Sequence, residues 1–322
     1  MLFPQNLFGF SSRSIKTNYL SELAALQTNK NRSYTQVKSA SGENYYQEAN
    51  FGSLQLIREQ LSGATHIQAA PPKKFLPLAA PLSNTNSFRF CGRERVESTL
   101  LQATGSEWDI CSDSQLDYVG LILEYDSLNL QHQNLYQKEL PSICLTSKAT
   151  QIPLGVLNNY SSNILYIFWL ISKTDNLFSQ PKTCKFIANA VSQMALTTLS
   201  FSLCDTEKIS PHTRRIQGVY RVIDYLKSNA VELPSISELC VIANLSERSL
   251  EYGFQELLGI TPIKYLKVIR LNGVREALLV GHNSQIKISS IALQWGFLEL
   301  GRFAAEYRQL FDELPSTTLN LR

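Results

Sequence analysis

ISELCVIANLSERSLEYGFQELLGITP, from Ile236 to Pro262, and ISSIALQWGFLELGRFAAEYRQLFDELP, from Ile288 to Pro315, carry one pattern twice. At an offset of 52 residues Ile236 falls on Ile288, Leu239 on Ile291, Cys240 on Ala292 and Leu245 on Phe297. One extra residue in the second turn makes the offset 53, and then Phe254 falls on Tyr307, Leu257 on Leu310, Leu258 on Phe311 and Pro262 on Pro315. Apolar residues coincide at spacings of three and four, as two copies of one small helical core require.

Each copy reads as a short helix, a tight turn and a longer helix. Ser235 or Ser237 caps a helix near Glu238 to Ala243, and Asn244 takes the left-handed turn. Ser246 caps the next helix, with Glu247 in the first turn where the helix dipole favours an acid. Gly259 ends it. Thr261-Pro262 is a cap followed by proline at the first helical position. In the second copy Gly296 takes the turn, Pro315 opens the terminal helix, and Phe303, Tyr307 and Phe311 form one buried stripe. Between the copies, Pro262 to Gly281 reads as one long helix with Leu266, Ile269, Val274, Ala277 and Leu278 inward.

This arrangement resembles the DNA-binding domain of the AraC/XylS family of transcription regulators. The matching residues are Ser246-x-Arg248-x-Leu250-x-x-x-Phe254, Gly259-x-x-Pro262-x-x-Tyr265-Leu266 and Arg270-Leu271. They continue with Ile288-x-x-Ile291-Ala292, Trp295-Gly296-Phe297, and Gly301-Arg302-Phe303-x-x-x-Tyr307 up to Pro315. The resemblance covers about Arg214 to Arg322 and implies two recognition helices that enter successive major-groove segments of double-stranded DNA. It also implies activation more often than repression, with RNA polymerase as a partner of an activator, and a sensor role for residues 1 to about 205.

The groove-facing side of the first recognition helix carries Glu247, Arg248, Glu251, Tyr252 and Gln255, because Leu250 and Phe254 point into the core. Arg248 pairs well with guanine, Glu251 accepts from cytosine, and Tyr252 reaches a phosphate or a thymine methyl. The second is poorer: Leu300, Gly301, Ala304 and Ala305 bring no hydrogen-bonding side chain. Arg302 is the strong donor near its start, with Arg308 and Gln309 further along, so this helix is expected to lean on backbone contact and DNA shape. Lys264, Lys267, Arg270 and Lys287 are candidate phosphate partners, and Arg270 has the alternative role of a salt bridge bracing the long helix.

Bulk composition says little about DNA. The net charge is +3, and residues 206–322 hold 14 Lys and Arg against 12 Asp and Glu, so the expectation rests on where the positive residues sit. The six cysteines are widely spaced with no C-x-x-C pair. With four scattered histidines they make neither a disulfide framework nor a metal site, and no cofactor is expected. The most apolar run, Ile164 to Ile171, is eight residues, far short of the about 20 that span a membrane. No signal peptide is evident at the N-terminus, so the expected location is cytoplasmic.

The chain reads as α+β: a mainly β N-terminal domain with helices over residues 1–205, a linker at 206–213 centred on Ser210-Pro211-His212, and an all-α domain at 214–322 of two helix-turn-helix subdomains joined by a long helix. Residues 1 to about 50 are polar and expected to be irregular or to add edge structure. Short alternating stretches beginning at Phe51, Phe75, Ser87, Glu107 and Tyr118, punctuated by Gly, Pro, Asn and Asp, predict an antiparallel sandwich or barrel. The family resemblance favours a cupin-like barrel, although no cupin metal motif is present. Ser127 is placed as the cap of a short helix to Tyr136. Lys185 to Leu203 reads as a helix whose face of Phe186, Ile187, Ala190, Val191, Met194, Leu196 and Leu199 either packs on its own domain or serves a second copy in a homodimer.

Two other classes compete with this reading. An enzyme would need a site such as His66, Cys91 and Glu107, yet no G-x-S-x-G, H-E-x-x-H or phosphate loop occurs, so no enzyme is expected. The other is a DNA-binding regulator whose N-terminal half only dimerises or contacts another protein, instead of sensing a small organic effector.

Overall fold

The computed structural model describes residues 10–27, 30–40, 42–70, 72, 74–82, 88–95, 98–103, 108–141, 144, 148–174, 177–203, 214–280 and 287–320. Its strands are β1 (Phe10–Thr17), β2 (Arg32–Ala40), β3 (Asn44–Phe51), β4 (Leu54–Leu61), β5 (Gly63–Ala69), β6 (Phe75–Pro81), β7 (Phe88–Phe90), β8 (Arg93–Arg95), β9 (Thr99–Gln102), β10 (Trp108–Ser112), β11 (Leu116–Glu124) and β12 (Lys148–Gln151). Helices α1 (Leu20–Leu26), α2 (Tyr125–Tyr136), α3 (Leu154–Lys173) and α4 (Pro181–Leu203) belong to this half. The C-terminal half is α5 (Arg214–Asn229), α6 (Ile236–Ala243), α7 (Glu247–Leu258), α8 (Pro262–Val280), α9 (Ile288–Gln294), α10 (Leu300–Phe311) and α11 (Pro315–Asn320). The expected linker lies outside the described residues, as does Gly281.

The strands form two antiparallel sheets, ordered β1-β3-β4-β11-β6-β9-β12 and β2-β5-β10-β7-β8. Tyr46, Ile57 and Leu61 of the first meet Ile67, Phe88, Phe90 and Ile110 of the second in one core. Among the described residues both sheets keep free edges, so this is the sandwich and not the cupin-like barrel. Of the two expectations for the polar N-terminal part, added edge structure holds for its described residues: they supply edge strands β1 and β2, together with α1 and β3. Their polar sequence fits β1, most of which faces solvent.

Strand β11 is buried over Leu116–Leu123, because one face meets the sandwich core and the other lies under α3 and α4. Its sequence is therefore nearly continuous in apolar residues instead of alternating. Within α4, Val191, Leu196 and Leu199 are buried against the sheet, while Phe186 and Ala190 face outward. The packing role holds for this face. Ile164 and Phe168 of α3 are core, and no described helix is long and apolar enough to cross a membrane. Helix α2 forms as expected, but Glu124 occupies the cap position and the Ser127 hydroxyl bonds to Ser53 Oγ.

Inside the sandwich lies a buried ionic cluster. Glu59, fully buried, takes Arg32 Nη2 at 3.0 Å and Gln27 Nε2 at 3.3 Å, and accepts from the hydroxyls of Tyr34 and Tyr118. Beside it Lys30 donates to Tyr46 Oη at 2.7 Å and stands 3.6 Å from Glu48, which also holds Arg13 at 2.7 Å. Burial pulls the Lys30 ammonium down to about 8, against the opposing pull of Glu48. A depressed lysine binds fewer protons folded than unfolded, so stability rises with pH from about 8 upward. The buried Tyr46 and Tyr118 and the half-buried Tyr34 are raised, chiefly by desolvation, and reverse the trend above about 10. Denaturant melts of Lys30→Met between these limits should lose the rise; an unchanged slope would contradict it.

In the C-terminal half Ser235 forms a full capping box with Glu238, and Ser246 accepts from the Ser249 amide. The doubled pattern is visible in the backbone. Asn244 and Gly296 are left-handed at φ 51° and 81°, and Gly259 and Asp312 at 69° and 57°. Each pair occupies the same turn in the two copies. Gly273 on α8 lacks a side chain for want of space: a Cβ there would stand 2.1 Å from the Trp295 ring. Of the residues expected inward on α8, Leu266, Val274 and Leu278 are buried and Ile269 and Ala277 half-buried. Tyr265, Val268, Leu271 and Arg275 are buried as well.

Candidate nucleic-acid interface

Two twelve-residue helices, α7 and α10, present the surface in question. Leu250, Phe254, Leu257 and Leu258 fix α7 in a core with Val219, Val222, Ile223 and Leu226 of α5. That leaves Glu247, Arg248, Glu251, Tyr252 and Gln255 exposed together on its other side. Arg248 lies over the Tyr252 ring at 5.6 Å and reaches its hydroxyl at 3.4 Å. An exposed contact of this kind is worth about 0.5–1 kcal/mol and is easily exchanged for a new partner.

Phe303, Tyr307, Leu310 and Phe311 hold α10 in the second core with Val268, Leu271, Val274 and Leu278. Leu300, Gly301, Arg302, Ala305, Arg308 and Gln309 are exposed, and Ala304 is half-buried. Around Gly301 the space is open. Leu298, just before the helix, is 81% exposed. A lone leucine in a turn carries no signal in the sequence.

The cations divide into free and engaged. Lys264, Arg308 and Lys287 are exposed. Lys267 and Arg302, read as independent contacts from sequence, share one carboxylate: Glu306 takes them at 2.9 and 3.0 Å. Their charge holds Glu306 below the usual carboxylate range although burial opposes it. Surface pairs like these are worth about 0–1 kcal/mol, so a phosphate can displace them. Arg270 braces no salt bridge among the described residues, and its Nε is buried without a partner.

The second sheet packs across the back of this helical region. His66 of β5, buried, meets Asp109 Oδ2 of β10 at 2.9 Å and Tyr265 Oη of α8 at 3.3 Å. Tyr220 of α5 donates to Asp109 Oδ1 at 2.8 Å. His66 is thus engaged between the halves of the chain, and Cys91 is buried; Glu107 lies outside the described residues. No group of three His, Cys, Asp or Glu suited to a metal occurs among the described residues.

A helix-turn-helix domain family matches residues 239–320. Over 101 residues the chain is 40% identical to the XylDLEGF operon transcriptional activator 2 of Pseudomonas putida, covering 31% of this chain and 64% of that protein. It is 39% identical over 105 residues to the probable thc operon regulatory protein of Rhodococcus erythropolis, 32% of each. The C-terminal part of this chain is a domain of the AraC/XylS type. The matches span from about a third to just under two thirds of those relatives' own length. Among solved structures, an AraC-type regulator from Chromobacterium violaceum is similar at 27% identity over 32% of this chain and 88% of that one, with a TM-score of 0.29. The AraC-like activator CuxR is similar at 12% identity over 83% of this chain and 96% of that one, with a TM-score of 0.42. In this AraC-type domain α7 and α10 are the second helices of the two helix-turn-helix copies, each with one side exposed.

Proposed function

We propose that this chain is a sequence-specific DNA-binding transcription regulator of the AraC type, acting as an activator. The observation that carries this is the pair of helix-turn-helix units with exposed faces on α7 and α10, joined by the 19 residues of α8. At 1.5 Å per residue that helix is about 28 Å long, a fitting spacer for major-groove segments about 34 Å apart. Arg248, Glu251, Tyr252 and Gln255 read bases in the first segment, with Glu247 at its edge. Arg302 serves the second, and the exposure of Leu298 supports a contact with a thymine methyl. Lys264, Lys267 and Arg308 hold phosphates. The Pseudomonas putida relative is an operon transcriptional activator by name, which supports the direction of regulation, and RNA polymerase is then a partner.

Arg248→Ala should cost about 1–3 kcal/mol on the preferred site and relax one base position. Lys264→Ala should weaken all sequences alike and lower the salt slope by about 1. Selection from random duplexes tests both; an unchanged motif for Arg248→Ala would remove its assigned role.

Residues 1–205 serve as the sensor and dimerisation part in this reading. A small organic effector would have to part the sheets, since the cavity between them, lined by Ile57, Phe75, Leu101 and Trp108 with Lys30 and Arg32 at its wall, is about 50 Å³, room for a water or two. For a homodimer, Val191 is the wrong residue, being committed to the core. Tyr166 and Trp169 of α3, stacked at 5.6 Å and each more than half exposed, offer the better surface. Trp169→Glu should shift sedimentation toward the monomer with the fold intact. A monomeric wild type, free and on DNA, would leave the simpler regulator without self-association.

A further inference from the structure

The second sheet grips both recognition helices by their C-terminal ends. The last carbonyls of any helix lack partners within it. In α10, Leu310 O accepts from Gln36 Nε2 of strand β2 at 2.7 Å. In α7, Leu258 O lies 3.7 Å from Cys111 Sγ of β10, a thiol that burial pushes up to about 12 and so keeps as a donor. Leu258 and Leu310 fall within one residue of each other in the doubled pattern. Strands separated only by β5 therefore cap the two helices at matching places.

Gln36 is the stronger of the two contacts. It is 5% exposed and sits where the register between β2 and β5 breaks. As part of an edge strand, it has an outward amide and carbonyl that would otherwise stand unpaired. Asn272 of α8 fills both: its Oδ1 accepts from Gln36 N at 3.2 Å and its Nδ2 donates to Gln36 O at 3.1 Å. Arg275 Nη1 donates to Gln36 Oε1 at 3.3 Å. Arg275 also binds Glu313 at 3.0 Å and lies over the Phe311 ring at 4.4 Å, just beyond and at the end of α10. One residue of the N-terminal half thus meets α8 and α10 through four hydrogen bonds.

We infer that Gln36 is a positioning residue for the second recognition helix, and that the β2–β5–β10 sheet presets the angle between the two reading surfaces. Four residues earlier on the same strand, Arg32 lines the cavity between the sheets. β2 therefore connects that cavity to α10. Rigid placement matters most for α10, because its own face offers few polar groups and gains most from not having to search for its orientation.

This inference rests on reading α7 and α10 as groove-binding helices. The test uses the full chain and duplexes in which either groove segment is scrambled. In the wild type, scrambling either segment should weaken binding. In Gln36→Ala, the penalty for scrambling the second segment should shrink about tenfold, the equivalent of one or two buried hydrogen bonds, while the first keeps its penalty. Gln36→Glu keeps the acceptor for Arg275 but cannot donate to Leu310 O, and should behave alike. Equal weakening of both segments, no change, or a larger second-segment penalty would overturn the positioning role. Amide exchange across residues 308–314 without DNA provides a separate readout. It should speed up in both variants, and unchanged protection would overturn the clamp. Wild-type indifference to both segments would instead count against the DNA reading, with the exchange result still deciding the clamp.

Discussion

Arg32→Ala should destabilise the chain by about 3–5 kcal/mol, the cost of leaving a buried charge without its partner. Glu59 is fully buried and keeps only neutral donors, from Gln27, Tyr34 and Tyr118, once the guanidinium is gone. Arg32 also packs, with its guanidinium 5.4 Å from the Trp108 ring, so truncation opens a hole next to the existing cavity. Urea melts followed by circular dichroism measure the loss. The double change Arg32→Met with Glu59→Gln should cost much less, because it removes both charges and keeps the volume. A single-variant loss below about 1 kcal/mol, or a double variant as weak as the single, would contradict this.

The second large effect is on DNA affinity. Each phosphate neutralised contributes about −0.9 to the slope of log affinity against log salt. With Lys264, Lys267 and Arg308 on three phosphates, affinity should fall about 40-fold between about 50 and about 200 mM salt. Titrations by fluorescence anisotropy give the slope directly. A slope shallower than about −2 would mean that fewer than three phosphates are met, and the two-segment footprint could not stand.

The C-terminal half was largely legible because its rules are local. Caps at Ser235 and Ser246, left-handed turns at Asn244, Gly259 and Gly296, and apolar residues three and four apart each mark a boundary within a few residues. The strands before Phe51 were not legible, because an edge strand such as β1 buries little and carries no alternation. Long-range pairing hid the rest. Nothing near Arg32 in sequence points to Glu59 or Tyr118, and nothing near Tyr265 points to His66. The exposed side of α7 followed from Leu250 and Phe254 alone. The sharing of Glu306 by Lys267 and Arg302 did not, since one of its partners sits on another helix. Gln36 gave no signal, as its meaning comes from the helix end it caps.

The central claim is that one chain reads two successive major-groove segments. Hydroxyl-radical footprinting of the full-length protein on duplexes selected from upstream DNA tests it most directly. The expected result is two protected patches on one face of the duplex, about 34 Å apart, with the first weakened by Arg248→Ala and the second by Arg302→Ala. A single patch indifferent to Arg302→Ala, or no protection even at low salt, would contradict it.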